Sequence, residues 1–176
     1  MRTARIDGEN VGESVYLDYF RRSRRYVHIT TPYLILDDTT LAALKFAAKR
    51  GVEVIIIMPH IPDKLYAYLL ARSYYAELLR AGVQIYEYTP GFIHAKMFTS
   101  DDEKAVVGTI NLDFRSLYLH FECASYFFRN AVVMDVEEDF QKTLAKSERI
   151  TLENCRKYPF IRRFAGKALR ILAPLM

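Results

Sequence analysis

His94 and Lys96 stand two residues apart in GFIHAKMFTSDDEKAVVGTINLDFRS, residues 91–116. The apolar positions around them, Ile93, Ala95, Met97, Val106 and Val107, suit a half-buried β-hairpin. Strand side chains alternate with a period of two, so the imidazole and the ammonium would share one face of the first strand. Asp101, Gly108, Thr109 and Asn111 follow within the same stretch. This set suits attack on a phosphodiester, whose negative charge repels nucleophiles until the phosphoryl oxygens are neutralised. Lys96 supplies the cation, while the Asn111 amide and the Thr109 hydroxyl supply directed donors. Gly108 would let the backbone come close to the ligand. His94 is a nucleophile near neutral pH once a partner fixes its tautomer. The plainer reading is a solvent-facing hairpin whose His and Lys fall together by chance.

Glu122 is the candidate orienting partner for His94. It opens an apolar strand, ECASYFF, where an unpaired carboxylate would be costly. Its plainer role is an exposed strand start. Asp101 lies in the TSDDEK turn and reads as more structural than chemical, although it counts in the catalytic set with His94, Lys96 and Glu122. Of the other histidines, His28 and His120 lie in or beside apolar strands and read as core or rim residues. His60 follows a strand where α/β sites gather and would line an entrance. Cys123 reads as a buried small residue, and with Cys155 it forms neither a CxxC pair nor a zinc-ligand spacing.

The elements that must hold these residues are legible as aliphatic runs. Strands are predicted over residues 26–34, 52–59, 83–90, a hairpin from 92 to about 110, and 122–128. Helical patterns occupy residues 12–25, 37–50, 64–81 and 135–147, with Gly51 and Gly82 as the stops of the second and third. This order predicts an α/β fold: a mixed, largely parallel sheet with helices on both faces, forming an α/β/α sandwich. A boundary near 150–158 divides a catalytic body, residues 1–150, from a tail, residues 151–176.

At 176 residues, 51% hydrophobic and 26% charged, the chain reads as globular. Its longest aliphatic run, VIIIM, is too short to span a bilayer, and the N-terminus lacks the apolar core of a signal peptide. The tail holds six cations against Glu153, a net +5, so the body carries −1 of the total +4. That placement is poor support for a nucleic-acid groove in the body. Within the tail, Phe160, Ile161, Phe164, Ala168, Leu169, Ile171, Leu172 and Leu175 recur at helical spacing. Arg162, Arg163, Lys167 and Arg170 cluster opposite, with Pro159 and Pro174 as ends. Such a helix either lies in an anionic membrane interface or packs its apolar face on the body. The FRRSRRY cluster, residues 20–26, reads as an exposed helix end.

Read with its spacing, the opening stretch is His94-x-Lys96-x4-Asp101-x6-Gly108-Thr109-x-Asn111, which resembles the HKD motif of the phospholipase D superfamily; Thr109 stands where Ser is common. The resemblance implies that His94 attacks phosphorus to give a phosphohistidine without a metal ion. It also implies that a second histidine, from a second motif copy, protonates the leaving alcohol. The flanking segments, including RSYYAELLRAGVQIYEYTPGFIHAK and GTINLDFRSLYLHFEC, are similar to the second half of bacterial cardiolipin synthases. These transfer a phosphatidyl group between two phosphatidylglycerol molecules and release glycerol. The resemblance therefore implies a lipid substrate, an anionic membrane surface and a site at the cytosolic face of the bacterial inner membrane, with no nucleic acid expected. No other HxK occurs in the chain, so it reads as one half-site, completed by an upstream half or by a second copy. Two alternatives stay open: a single-motif phosphodiesterase or nuclease working as a homodimer, and a catalytically silent lipid-binding module.

Overall fold

A computed structural model describes residues 2–3, 10–118 and 120–172. The chain runs β1 (Arg2–Thr3), α1 (Val11–Arg22), β2 (Tyr26–Thr30), β3 (Leu34–Ile35), α2 (Asp38–Lys49), β4 (Glu53–Pro59) and α3 (Leu65–Arg80). It continues through β5 (Gln84–Tyr88), β6 (Met97–Ser100), β7 (Lys104–Gly108), β8 (Leu112–Asp113), α4 (Phe114–Tyr118), β9 (Glu122–Phe128) and α5 (Ala131–Leu144). β10 (Ser147–Ile150), α6 (Leu152–Lys157) and α7 (Phe160–Leu172) complete it. Asp37 caps α2 by accepting from the Thr40 amide at 2.9 Å. Gly51 and Gly82, at φ of +88° and +100°, end α2 and α3 in the left-handed conformation.

Eight strands form one mixed sheet in the order β1-β9-β7-β6-β2-β4-β5-β10. Within this sheet parallel pairing is confined to β2–β4–β5, because the chain beyond residue 90 returns through antiparallel connections. The parallel share is therefore smaller than the order of the early elements implied. β4 shows how the helical layers are assigned. Val54, Ile56 and Met58 join the core under α1, α2 and α3, while Ile55 and Ile57 face the other way, onto Phe140 of α5. β10 was not foreseen; SERI is polar at three of four positions and becomes a strand by pairing with β5.

The tail packs on the body by only part of its surface. A narrow strip of α7 lies on α3: a Cβ at Gly166 would sit 2.4 Å from the Leu69 carbonyl oxygen, so glycine permits the close approach. Arg170 pairs with Glu77 at 3.2 Å and covers the Tyr74 ring at 4.1 Å. Phe160, Ile161, Phe164 and Ile171 remain exposed. The Pro159 carbonyl accepts the first helical bond, from the Arg163 amide. Leu175 and Pro174 lie outside the described residues.

Candidate active site

Segments leaving the C-terminal ends of the parallel strands meet beside the turn that carries Asn111. Tyr33 follows β2, Lys64 and Tyr66 follow β4, and His94 follows β5. With Asn111, Asp113, Ser116 and His120 they line a pocket of about 270 Å³. Long-range contacts fix the Asn111 turn. β3 pairs in parallel with β8, Leu34 opposite Leu112, and the Tyr16 hydroxyl donates to the Ile110 carbonyl at 3.0 Å. Tyr16 is itself locked by stacking on Phe98, ring centroids 3.9 Å apart.

His94 and Lys96 precede β6 instead of lying in it, a correction to the hairpin expected from residue 92. The reason is the partner strand: β2 ends at Thr30, opposite Met97, so Lys96 is paired on one side only, its carbonyl accepting from the Gly108 amide at 3.2 Å. The two side chains nevertheless meet. Lys96 Nζ lies 2.9 Å from His94 Nδ1 and donates to the His94 carbonyl at 2.7 Å. An ammonium can only donate, so Nδ1 accepts and the ring proton sits on Nε2. Burial, then the charges of Lys96 and Lys64, hold His94 below the usual imidazole range; Asp63 opposes them. A neutral imidazole, the form a nucleophile needs, is therefore favoured. Burial also lowers Lys96, against the pull of Glu122 and Asp113.

Glu122, expected against His94, is engaged elsewhere. It accepts from the Thr109 hydroxyl in a short hydrogen bond and from the Ser116 hydroxyl at 3.2 Å, with His120 Nδ1 at 3.7 Å. Ser116 in turn accepts from Asn111 Nδ2 at 3.0 Å. The phosphate donors expected from Thr109 and Asn111 are thus joined in one network, Asn111–Ser116–Glu122–Thr109. Asn111 Oδ1 is buried at the pocket with no hydrogen-bond partner among the described residues.

Two motif residues are placed for architecture. A Cβ on Gly108 would lie 2.4 Å from the Cys123 carbonyl oxygen and 2.5 Å from Ala124 Cα, so glycine serves the approach of β7 to β9 and not that of a ligand. Asp101 stands at the far end of β6, roughly 15 Å of extended chain from Lys96. Its carboxylate accepts from the Arg24, Arg25 and Tyr26 amides at 2.8, 2.9 and 3.0 Å, pinning the start of β2. Asp101 thus makes the structural contacts that its turn position suggested. His60 turns away from the pocket to Glu87, at 3.0 Å, and His28 is buried between Glu137 and Glu53. Cys123 is exposed, because its position on β9 points outward.

The structure adds Ser116, Asp113, Tyr33, Lys64 and His120 to the pocket. Asp113 and Ser116 lay inside the quoted NLDFRS, where Asp113 caps α4 by accepting from the Ser116 amide at 2.6 Å. A cap signal, Asp three residues before Ser, was there to be read. Tyr33 and Lys64 carried no local signal, since only the parallel strand ends bring them together. Among the described residues, no group of three or more His, Cys, Asp or Glu is placed to hold a metal ion.

Comparison with known proteins identifies the family. Residues 16–144 match the model of the family described as cardiolipin synthase, PLD-like domain. An uncharacterized protein of Streptococcus mutans is 53% identical over 171 residues, covering 97% of this chain and 37% of its own length. A cardiolipin synthase of Alkalihalophilus pseudofirmus is 37% identical over 166 residues, covering 94% of this chain and 33% of its own. The chain thus spans about a third of the length of the curated relatives it matches. Nuc of Salmonella typhimurium, a phospholipase D family member, shares the fold at a TM-score of 0.70 and 17% identity, covering 85% of this chain and 96% of its own. With a family match over most of its length and a cardiolipin synthase 37% identical over 94% of it, the chain belongs to the cardiolipin synthase family of phospholipase D-like domains.

Proposed function

We propose that the chain forms one half of a phosphatidyl-transfer site. The observation that carries this reading is a neutral-leaning imidazole, His94, held against an ammonium, Lys96, at the mouth of a pocket. An arriving anionic phosphodiester competes for Lys96, drawing the ammonium from Nδ1 to a phosphoryl oxygen. His94 then attacks phosphorus; the bond from phosphorus to the glycerol oxygen breaks, and glycerol leaves with a proton from a second histidine. The phosphatidyl group, carried as a phosphohistidine, passes to the primary hydroxyl of a second phosphatidylglycerol as the bond from phosphorus to His94 breaks and the second histidine takes the hydroxyl proton, and cardiolipin results. Asn111 Oδ1 is an acceptor suited to a substrate hydroxyl. The proton donor comes from another motif copy, in an upstream half or a second chain. Such a substrate places the site at an anionic membrane surface, the cytosolic face of a bacterial inner membrane.

A phosphatidyl p-nitrophenyl ester tests the half-site directly, because p-nitrophenolate leaves without a proton. The purified chain should acquire one phosphatidyl adduct on His94, seen by mass spectrometry without acid, and His94→Ala should acquire none. It should convert phosphatidylglycerol to cardiolipin barely or not at all. An unlabelled His94 would make the chain a silent binding module, and efficient conversion by a monomer would remove the need for a partner copy. The second reading, a homodimeric phosphodiesterase, draws on the likeness to Nuc over nearly all of that chain. Turnover of DNA in preference to phosphatidylglycerol by a dimer would establish it instead.

A further inference from the structure

A cleft of about 410 Å³ opens between α3, α6 and α7, lined by seven cations against a single carboxylate, Glu77. Two of those cations are already neutralised: Arg72 pairs with Glu87 at 2.8 Å, and Arg170 with Glu77. Arg80, Arg156, Arg162, Arg163 and Lys167 form no ion pair among the described residues. Like charges gathered around one concavity repel unless an anion lies between them. The cleft shares no lining residue with the His94 pocket, although α3 borders both, Tyr66 and Ala67 on one and Leu69 to Arg80 on the other.

Beside this cleft, α7 turns an apolar face to solvent. Phe160 is 77% exposed, Ile161 81%, Phe164 66% and Ile171 81%. Large aromatic and aliphatic side chains grouped on one helical face, with cations along its flank, match the two chemistries of an anionic bilayer surface. A nucleic acid would satisfy the cations and leave the phenylalanines in water. A plain apolar partner would satisfy the phenylalanines and leave the cations in repulsion.

We propose that the α3–α6–α7 cleft receives the phosphate of an anionic phospholipid while the outer face of α7 lies in the membrane interface. The inference rests on the lipid substrate proposed above and adds a second lipid contact, separate from the reacting one. It gives the chain a fixed seat on the bilayer, with α3 joining that seat to the catalytic pocket.

Co-sedimentation with vesicles tests it, using phosphatidylcholine alone and phosphatidylcholine with phosphatidylglycerol. The chain should bind the mixed vesicles and not the zwitterionic ones. R162Q/R163Q/K167Q should weaken that binding on the order of a hundredfold, from roughly fivefold for each cation removed. F160S/F164S should weaken it on the order of tenfold. All five positions are exposed, so circular dichroism should show both variants folded. Equal binding to both vesicle types would overturn the proposal, as would variants that bind like the parent. So would tighter binding to duplex DNA than to the mixed vesicles, or an oligomer that F160S/F164S dissolves in a chain that binds no vesicles. Trapping of the unaltered chain with a short-chain, bilayer-free p-nitrophenyl ester is read separately. Trapping without vesicle binding defeats this inference alone, and vesicle binding without trapping defeats the catalytic reading alone.

Discussion

Replacing Asp101 separates the architectural part of the motif from its chemistry. Its carboxylate accepts three backbone amide hydrogens, from Arg24, Arg25 and Tyr26, at 2.8 to 3.0 Å. A hydrogen bond contributes about 1 kcal/mol net, more when an ion is involved and less when water competes. Two of these three are exposed, so about 2 kcal/mol for the set is the appropriate scale. Asp101 also holds φ at +57°, where alanine is strained by roughly a further 1 kcal/mol and asparagine is tolerated. Asp101→Ala should therefore destabilise the chain by about 3 kcal/mol, and Asp101→Asn, which keeps one acceptor oxygen and the backbone tolerance, by about half as much. Urea unfolding followed by circular dichroism measures both, with an unchanged m-value marking a pure stability effect. Labelling of His94 per folded molecule should stay near that of the parent in both. An Asp101→Ala chain within about 0.5 kcal/mol of the parent, or a folded Asp101→Asn chain that no longer labels His94, would refute the structural assignment.

Other expectations follow from single contacts. Gly108→Ala forces a methyl group against the backbone of β9 and should cost about 1–3 kcal/mol in the same urea assay, with labelling lost as Thr109 and Glu122 shift. Lys96→Met removes a like charge from beside His94, so the imidazole should titrate at higher pH in two-dimensional NMR; a fall or no change would contradict the electrostatics. The neutral His94 persists to lower pH than an ordinary imidazole, so in the parent the rate of labelling should fall only as pH drops below the usual histidine range. Glu87→Gln removes the charge partner of the largely covered Arg72 guanidinium and should cost about 3 kcal/mol, since Glu87 is 1% exposed and also receives Tyr68 and Tyr75.

What the sequence made legible was set by residue type and short range. The aliphatic runs of β2, β4 and β5 and the helices between them stand out because period and glycine stops are local properties. His94, Lys96 and Asn111 stand out because few other reasons place those types at that spacing. What escaped depends on pairing between distant segments. Lys96 falls outside the ladder with β2 because β2 ends at Thr30, 67 residues before its partner Met97. Gly108 reads as a ligand approach until β9 is beside it, and Glu122 reads as the partner of His94 until Thr109 and Ser116 claim it. β3 and β8, two residues each, lie below the reach of any periodicity.

The division of labour within the motif bears on how such a domain would decay. On the proposed function, His94 and Lys96 answer to turnover, whereas Asp101 and Gly108 answer to folding, and mutation tests the two pairs separately. A duplicate released from its chemistry but still needed as a folded body would lose the first pair and keep the second. Asp101 and Gly108 in a sequence thus certify the scaffold alone, and a survey of descendants that scores the whole motif as one character would mistake inherited architecture for retained catalysis.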